Sequence, residues 1–494
     1  MSRIPRLLWL ALPAAYLLYF FRLGAIGLIG PDEPRYAAIG RAMAASGDWI
    51  TPRLWGQPWF EKPALLYWMS GAAFRFGLGP DIAPRLPVAL LSAAFLAFFY
   101  WRVRREFGCF AAGAASVILG TTAAWIGFSQ VGVTDLPLTA AFSAAMLLAL
   151  PWIAKRETRA LPAAAAAMGA AVLAKGLLPL VLAAPLVLRM RWFRDLLRPV
   201  VILPFLVVAL PWYALCYARN GAVFLHDFIL VHHFERFTSG ALQHVQPWWF
   251  YLPRLPLLLL PWTPLLVTLR PRAMWAEPKT RFLLAWTGFG LAFFSASTNK
   301  LPGYVLPLVP PLAILMALGL ERTRRAGLLL GCCGVLLAAY AIGAPLAPAA
   351  LANQWAGAPR LTFGWTWLLA LIPAAGAWAL GRRGRALAGA GLIAASAAVA
   401  VAAVKITTGP AIARIATARS LSLEVAAHPG QVCLGEIRRD WQYGLDYYAG
   451  TSLPACSVAS KPFQVTEKPG QPPELTPAPA ETGTAPVAGA VDRR

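Results

Sequence analysis

Long apolar stretches alternate with short polar connections along almost the whole chain. Each stretch is close to the ~20 residues that a helix needs to cross the hydrocarbon core of a bilayer. We therefore predict an all-α polytopic membrane protein with about 13 transmembrane helices. The predicted spans are 7–24, 85–101, 109–127, 134–154, 160–174, 176–188, 199–218, 249–269, 282–297, 303–320, 326–343, 363–381 and 387–405.

The connections between these spans are of two kinds. Every second connection is short and basic, as in WRVRREF and GRRGR, and the N-terminal residues carry Arg3 and Arg6. Clusters of Lys and Arg in short loops mark the cytoplasmic side. With an odd number of spans, this pattern predicts a cytoplasmic N-terminus and a C-terminus on the opposite, outer side.

The long polar segments all belong to this outer side and define the predicted organisation. A transmembrane domain covers 1–405, with a first outer loop at 25–84 and a second at 219–248. A small outer α/β region follows at 406–463. Within it we expect a helix near 410–427 and short strands near 431–435 and 454–458. Pro, Ala, Thr and Glu dominate the remaining residues, 464–494, which predicts a disordered tail.

Composition agrees with the membrane interpretation. The 494 residues are 59% hydrophobic and only 13% charged, which is too apolar for a chain with one aqueous core. The net charge of +23 lies in clusters between apolar runs rather than in one continuous patch, so we expect no nucleic-acid partner. In the outer C-terminal region, Cys433 and Cys456 are either a disulfide or two free thiols.

The first outer loop carries the densest candidate chemistry. Pro31 can begin a helix, and Asp32 and Glu33 suit its first turn because acids are favourable at a helix N-terminus. Arg35 and Tyr36 follow on the same short helix, which we expect to lie on the membrane surface and to end at Gly47. A second amphipathic stretch begins at Glu61 and Lys62 and includes Tyr67.

Other ionisable residues fall at the outer ends of spans. Asp135 and Lys175 stand in apolar settings, where a charge is unfavourable unless it is paired. Lys300 and Tyr304 lie together in STNKLPGY, while His233 and Arg236 share a helical face in VHHFERF. Groups from distant parts of the chain thus converge on one leaflet, whereas a transporter would place them near the midplane.

Glycosyl transfer from a phosphate leaving group needs cations for the phosphate, a carboxylate and an amphiphilic groove. Asp32, Glu33, Glu61 and Asp135 are the predicted catalytic residues. The predicted substrate-binding residues are Arg35, Tyr36, Lys62, Tyr67, Lys175, Arg236, Lys300 and Tyr304.

The run PDEPRYAAIGRAMAASGDWITPRLWGQPWFEKPALLYW closely resembles the first outer loop of the aminoarabinose transferases that modify lipid A. These enzymes are relatives of the protein O-mannosyltransferases within the GT-C glycosyltransferase fold. The similarity recurs in order at VTDLPLT, AKGLLPL, VHHFERF and STNKLPGYVLP and covers most of residues 1–320. The C-terminal outer region is shorter than in that family, so the resemblance speaks for the donor more than for the acceptor.

The resemblance implies roles for particular residues. Asp32 matches the essential acid of the first loop, and Lys62 of the Glu61-Lys62 pair matches the lysine that contacts the carrier phosphate. Asp135 and Lys175 match the acid and lysine of the next outer loops, and His233 and Arg236 match residues of the second large loop. No cofactor is implied with certainty. Glu61 and His233 could share a divalent metal ion, although a hydrogen-bonded interface histidine explains His233 equally well.

These features predict an inverting glycosyltransferase in a bacterial inner membrane. Its donor would be a polyprenyl-phosphate sugar, with 4-amino-4-deoxy-L-arabinose or another pentose or hexose on undecaprenyl phosphate. Its acceptor would be lipid A, another glycolipid or glycan, or a protein hydroxyl at the outer face. The alternatives are a transporter or flippase of lipid-linked sugars and a scaffold with a degenerate site. The small number of ionisable residues inside the spans argues against transport.

Overall fold

The computed structural model describes residues 12–228, 245–352, 358–468 and 470–478, most of which are helical. Between the π-helical turn at Tyr16–Phe20 and residue 228, the described residues form ten α-helices. They are α1 (Asp32–Ser46), α2 (Leu65–Arg75), α3 (Leu86–Phe107), α4 (Cys109–Thr121), α5 (Ala123–Phe128), α6 (Asp135–Leu148), α7 (Leu150–Lys155), α8 (Leu161–Lys175), α9 (Leu178–Leu182) and α10 (Pro199–Leu225).

From residue 245 onward, the part of the chain that the structure describes contains eleven further α-helices. They are α11 (Tyr251–Leu258), α12 (Pro271–Ala276), α13 (Pro278–Ala296), α14 (Val309–Arg322), α15 (Ala326–Val335), α16 (Ala338–Gly343), α17 (Ala347–Leu351), α18 (Leu371–Arg382), α19 (Ala386–Ile415), α20 (Arg419–Ala426) and α21 (Arg439–Ala449). Short 3₁₀ helices occur at Ala184–Asp195, Trp248–Phe250, Thr263–Thr268, Pro302–Leu308, Ala344–Leu346 and Trp365–Ala370.

The protein is a multi-pass membrane protein, as the apolar pattern predicted. Six helical segments of the described residues are long and apolar enough to cross a bilayer. They are Leu86–Phe107, Asp135–Lys155, Pro199–Phe228, Pro302–Arg322, Ala326–Leu351 and Ala386–Ile415. The total of about 13 spans stays a prediction. Proline explains part of the difference, because the predicted span 249–269 is divided at Pro261 into α11 and a 3₁₀ turn.

Helix α14 forms the centre of the bundle. Every residue from Val309 to Leu320 is buried, which is expected of a helix that is apolar on all sides. It packs against α4, whose Ala111, Ala112, Ala114 and Ala115 are completely buried. Small side chains let neighbouring backbones approach closely, and close packing is the main source of helix association within a bilayer.

The helices give the molecule two chemically different ends. Helix α3 starts beside the first outer loop and ends at the basic connections, where Lys279 Nζ lies 3.0 Å from Glu106 Oε2. At the same end, Arg156 Nε lies 2.8 Å from Asp195 Oδ2. Helix α6 begins and helix α8 ends at the opposite end, where Asp135 and Lys175 meet. The basic connections and the candidate site are therefore separated by the length of the bundle.

The first outer loop is built around two helices that cross at glycine. Helix α1 begins at Asp32 and ends at Gly47, whose φ of 73° requires the left-handed conformation that glycine adopts readily. Both ends are as predicted. A Cβ atom at Gly40 would lie only 2.0 Å from Ser70 Oγ of α2, so glycine allows the two helices to touch. This contact sets the distance between α1 and α2.

The C-terminal region is more ordered than predicted. After the short antiparallel pair of β1 (Arg53–Leu54) and β2 (Gln57–Pro58) in the first outer loop, the other described strands lie here. A parallel pairing joins β3 (Val432–Leu434) to β4 (Phe463–Thr466), and β4 pairs antiparallel with β5 (Glu474–Pro477). The prediction of a disordered tail from residue 464 was therefore wrong up to Pro477, and residues 479–494 lie outside the described ones. Composition missed these strands because only Val465 of the four residues in β4 is fully buried, against Val432 and Leu434.

Other predictions for this region were partly right. The strand expected near 431–435 is β3, but residues 454–458 contribute only a single bridge, between Ala455 and Leu434. The predicted helix near 410–427 is divided between the end of α19 and α20, and α21 was not predicted. Cys433 and Cys456 form a disulfide, which decides between the two alternatives left open by the sequence.

We predict that this disulfide persists in the purified protein, because it joins β3 to the segment that leads into β4. After alkylation of free thiols in denaturant, reduction followed by a heavier maleimide should add two labels, on Cys433 and Cys456. Mass spectrometry of the labelled peptides checks the assignment. The free cysteines Cys109, Cys216, Cys332 and Cys333 should carry only the first reagent and serve as internal controls. Two free C-terminal thiols in the first step would contradict the pairing.

Candidate active site

A cleft of about 180 Å³ opens where the first outer loop meets the ends of α6, α8 and α13. Its lining combines three acids, two lysines and several apolar or aromatic side chains. The lining residues are Asp32, Tyr36, Glu61, Lys62, Pro63, Thr134, Asp135, Lys175, Leu178, Phe293, Phe294, Ser297, Asn299, Leu301 and Tyr304. Seven of the predicted site residues therefore meet in one place: Asp32, Tyr36, Glu61, Lys62, Asp135, Lys175 and Tyr304.

One side of the cleft is a chain of alternating charges. Arg35 lies one helical turn after Asp32, and its NH2 nitrogen is 2.5 Å from Asp32 Oδ1. The same nitrogen is 3.0 Å from Glu61 Oε2, and Lys62 Nζ is 3.0 Å from Glu61 Oε1. The side chain of Asp32 is 41% exposed whereas that of Glu61 is 6% exposed. Asp32 is thus the acid of this chain that faces the cleft most openly.

The Arg35 guanidinium is held on its faces as well as at its edges. Its central carbon lies 5.4 Å from the Tyr36 ring centre, 5.7 Å from that of Trp59 and 5.3 Å from that of Tyr443. These distances are within the range of cation–π attraction. Burial lowers the pKa of Arg35, but the neighbouring Glu61 and Asp32 carboxylates outweigh it and raise the pKa, so the side chain stays charged.

The opposite side of the cleft is a lysine–carboxylate pair. Lys175 Nζ lies 2.9 Å from Asp135 Oδ1 and 4.8 Å from the centre of the Tyr304 ring. Asp135 is the first residue of α6, and Lys175 is the last residue of α8. Each charge therefore lies at the helix end that favours it, the acid at an N-terminus and the lysine at a C-terminus.

Two tyrosines lie behind the chain of charges. Tyr36 and Tyr67 pack with their ring centres 5.9 Å apart, and both are almost completely buried. Burial, reinforced by the nearby carboxylates, raises the pKa of both hydroxyls well above the ordinary value, so both remain neutral. Only Tyr36 lines the cleft. The substrate contact predicted for Tyr67 stays a prediction, and in this structure its ring packs behind Tyr36.

Glu33 has a structural setting that does not suit its predicted catalytic role. It is completely buried, and both carboxylate oxygens lie 2.7 Å from nitrogens of Arg85. The backbone N–H groups of Gly132 and Ile29 also donate to it, each at 2.9 Å. Every acceptor direction is occupied, and Glu33 is not among the residues that line the cleft. Neighbouring Asp32 and Glu33 point to different environments because successive helical residues are rotated by about 100°.

Lys300, which was predicted to bind the phosphate, is buried in this structure. Its side chain is 3% exposed and donates to the backbone carbonyls of Ser297 and Gln246. Burial lowers the pKa of this amine. Lys300 thus holds the turn before the 3₁₀ helix Pro302–Leu308, while its neighbours Asn299 and Leu301 line the cleft.

Sequence reasoning missed several residues of the site. Thr134, Ser297 and Asn299 line the cleft but are neutral, so a search for charged groups passes over them. The position of Asn299 within STNKLPGY, next to a predicted site lysine, is the signal that could have identified it. Arg85 was also missed, because its role depends on burial against Glu33, which no local pattern shows.

Two predicted residues, His233 and Arg236, lie outside the described part of the chain. The metal ion suggested for Glu61 and His233 stays a prediction. Over the described ranges, no group of three or more His, Cys, Asp or Glu side chains is placed to hold a metal ion. In the geometry described, both Glu61 oxygens contact cationic side chains, Arg35 and Lys62.

Comparison with known proteins agrees with the resemblance seen in the motifs. Residues 6–228 match the family model described as dolichyl-phosphate-mannose-protein mannosyltransferase. This match includes α1, α2 and the acid–lysine pairs of the cleft. The match ends before α13 and before the lining residues Asn299, Leu301 and Tyr304, so the family model covers only part of the residues that line the cleft.

The chain also has curated relatives called undecaprenyl phosphate-alpha-4-amino-4-deoxy-L-arabinose arabinosyl transferase. The relative from Pseudomonas paraeruginosa is 37% identical over 341 residues, or 64% of this chain and 60% of the relative. That from Serratia proteamaculans is 34% identical over 338 residues, or 63% of this chain and 58% of the relative. The chain thus spans about 60% of the length of these relatives.

Among solved structures, the chain is similar to ArnT from Cupriavidus metallidurans bound to undecaprenyl phosphate. The TM-score is 0.75 at 26% identity, over 92% of this chain and 86% of ArnT. The apo state of the same protein gives a TM-score of 0.73. The predicted GT-C fold is confirmed, and the chain is similar in sequence to the curated aminoarabinose transferases over about 60% of their length.

We predict that Arg85→Met destabilises the protein, because it leaves the Glu33 carboxylate buried without its counter-ion. Breaking a buried ion pair on one side costs about 3–5 kcal/mol. The double variant Glu33→Gln with Arg85→Met should recover part of this loss. Thermal unfolding in detergent, followed by intrinsic fluorescence, measures the midpoints.

Arg219→Met is the matched control for this experiment, since it breaks the more exposed pair with Asp48, whose atoms are 2.8 Å apart. Such an exposed pair contributes about 0–1 kcal/mol. An Arg85→Met protein as stable as the control variant would contradict the structural role of the Glu33–Arg85 pair.

Proposed function

We propose that this chain is a glycosyltransferase that moves a sugar from undecaprenyl phosphate to a glycolipid acceptor in the same leaflet. The observation that carries the proposal is the cleft, which brings Asp32, Glu61, Lys62, Asp135 and Lys175 together at one end of the bundle. The curated relatives use an undecaprenyl-phosphate aminoarabinose donor according to their names, which supports 4-amino-4-deoxy-L-arabinose as the first sugar to test.

The cations of the cleft suit a phosphate that carries a leaving sugar. Lys62 and Lys175 reach it from two sides, and each is paired with one carboxylate, Glu61 and Asp135 respectively. A bound phosphate would share these lysines, and negative charge that develops on it as the sugar leaves would be stabilised by both. Preorganised charges of this kind are usually the largest contribution to catalysis.

Asp32 is our proposed base. It is the most exposed acid of the charge chain, and Arg35 fixes its orientation from one helical turn away. In the proposed reaction, an acceptor oxygen attacks the anomeric carbon from the face opposite the phosphate, and its proton passes to Asp32. The bond between the anomeric carbon and the phosphate oxygen breaks, and its electron pair remains on undecaprenyl phosphate. The configuration at the anomeric carbon is inverted.

The apolar wall of the cleft suits the lipid part of the donor. Phe293 and Phe294 come from the end of α13, and Leu178 begins α9. Because these side chains lie where the spans end, a polyprenyl chain could enter from the hydrocarbon core while its phosphate remains at the cleft. Tyr304 lies between the two parts, with Lys175 over its ring.

Transport of a lipid-linked sugar is less well supported. A transporter needs polar groups near the midplane. Lys405 lies within a long apolar helix, α19, and it donates to the backbone carbonyls of Leu18 and Phe21 at 3.1 and 2.9 Å. It therefore fastens the first helical segment to α19 rather than lining a path.

We predict that Asp32→Asn and Lys175→Ala affect different steps. Asp32→Asn should lower turnover about 10²- to 10⁴-fold, the usual contribution of a general base, while undecaprenyl phosphate still binds. Lys175→Ala should weaken binding of that phosphate about 10- to 100-fold, because a hydrogen bond to a charged group is lost. Sugar release and product formation in nanodiscs supplied with lipid A are followed by mass spectrometry.

Lys155→Ala is the matched control, since Lys155 is exposed at the opposite end of the bundle. It should bind and turn over like the unmodified protein. An intact donor together with saturable phosphate binding would favour the transporter, and normal turnover by Asp32→Asn would remove Asp32 as the base.

We further propose that the membrane is the bacterial inner membrane, with the cleft and the C-terminal region on the periplasmic side. The support is the position of the basic connections, at the end of the bundle opposite the cleft. A phosphate-linked donor bound by Lys62 and Lys175 would then be used in the outer leaflet.

Cysteine labelling tests this orientation. In a background without the free cysteines, Ser46→Cys should react with an impermeant maleimide in intact spheroplasts, because Ser46 is exposed at the end of α1. Glu157→Cys, exposed in the connection between α7 and α8, should react only after lysis. The reverse pattern would show that the chain is inserted the other way.

A further inference from the structure

The C-terminal region is attached to the first outer loop by a specific set of contacts. Arg41 of α1 donates to the backbone carbonyl of Tyr447 at 2.6 Å, and its guanidinium lies 4.5 Å from the Tyr447 ring centre. The hydroxyl of Tyr447 donates to the carbonyl of Pro80 at 2.8 Å, and that of Tyr448 donates to Asp81 at 2.6 Å. Helix α21 therefore contacts the first outer loop at two places, at α1 and at residues 80 and 81.

The same helix places Tyr443 against Arg35. Tyr443 and Tyr447 are four residues apart, so they share one face of α21, and each lies over an arginine of α1. The Tyr443 ring centre is 5.3 Å from the Arg35 guanidinium carbon, the shortest of the three ring contacts of Arg35. A group from the end of the chain thus touches the residue that joins Asp32 to Glu61.

Arg35 needs such support because its edge contacts do not define its orientation completely. Both salt bridges use the NH2 nitrogen, and among the described residues Arg35 Nε is buried without a hydrogen-bond partner. A ring packed on the face of the guanidinium restrains its plane and leaves the edge N–H groups for carboxylates. Tyr36 and Trp59 belong to the first outer loop, so Tyr443 is the contact that depends on docking of the C-terminal region.

We propose that Tyr443 is a positioning residue of the site: by holding the plane of Arg35, it sets the orientation of the Asp32 carboxylate. This inference rests on the proposed function for its kinetic test and on structure alone for its second test. The residue lies outside the range matched by the family model, which ends at residue 228. The C-terminal region is accordingly a component of the site rather than an appendage to the membrane domain.

The kinetic test compares Tyr443→Ala with Tyr443→Phe. Tyr443→Ala removes the ring and should lower kcat about tenfold, while the Kd for undecaprenyl phosphate, the KM for the donor and the thermal midpoint stay within about twofold or a few degrees. Tyr443→Phe keeps the ring and loses only the hydroxyl, which accepts from Arg439 at 3.3 Å, so it should turn over like the unmodified protein. Gln442→Ala, on the same helix, is the control.

A double-variant cycle shows whether Tyr443 acts through Arg35. In an Arg35→Ala background, Tyr443→Ala should have no further effect on kcat, because coupled residues are not additive. Full additivity, unchanged turnover by Tyr443→Ala, or equal losses in Tyr443→Ala and Tyr443→Phe would each overturn the proposal.

Hydrogen exchange provides a readout that needs no turnover. Backbone amides in the first two turns of α1 should exchange faster in Tyr443→Ala than in Tyr443→Phe, since the guanidinium that joins them to Glu61 is less restrained. If the unmodified protein transfers no sugar from any donor, the proposed function fails but this comparison still decides the role of Tyr443. Identical exchange in both variants would overturn it.

Discussion

Charged side chains at the edge of a hydrocarbon phase need opposite charges or hydrogen bonds, and this constraint organises the end of the bundle that carries the cleft. An ion that is removed from water loses several kcal/mol of hydration unless an opposite charge and hydrogen bonds replace it. The cleft meets this condition with complete pairs: Asp32 with Arg35, Arg35 with Glu61, Glu61 with Lys62, and Asp135 with Lys175. Its described charges balance, so a phosphate ligand would add negative charge between lysines that are already in place.

The same constraint distinguishes charged side chains that stabilise the fold from those that are available to a substrate. Glu33 and Arg85 are almost completely buried and satisfy each other together with backbone groups, which joins the first outer loop to the start of α3. Lys300 similarly donates hydrogen bonds to backbone carbonyls. Asp32, by contrast, has a side chain that is 41% exposed and opens to the cleft. Ionisable side chains of the same region therefore differ in whether their partners leave part of the charged group exposed to the cleft.

The sequence predicted the fold class and most of the cleft, for identifiable physical reasons. Apolar stretches report membrane spans directly, and Pro31 and Gly47 mark the ends of α1 through fixed backbone preferences. Charged residues in apolar settings, such as Asp135 and Lys175, indicate a pair because they would be unfavourable alone. The direction of neighbouring side chains was less accessible, and for that reason Asp32 and Glu33 received the same role although only one lines the cleft.

Contacts between distant segments were the least predictable part. The strands β4 and β5 are too short for a strong periodic pattern, and the amphipathic pattern of helix α21 does not show which surface it packs against. Each is stabilised by packing on a surface that another part of the chain provides. In the sequence, Tyr443 is one of several aromatic residues in WQYGLDYY. Its contact with the Arg35 guanidinium follows only from the docking of α21 on α1. A membrane domain can thus supply the charges of a site while a small region outside it determines their orientation. Because that region is attached through the first outer loop, any acceptor that displaces α21 would also alter the environment of Asp32.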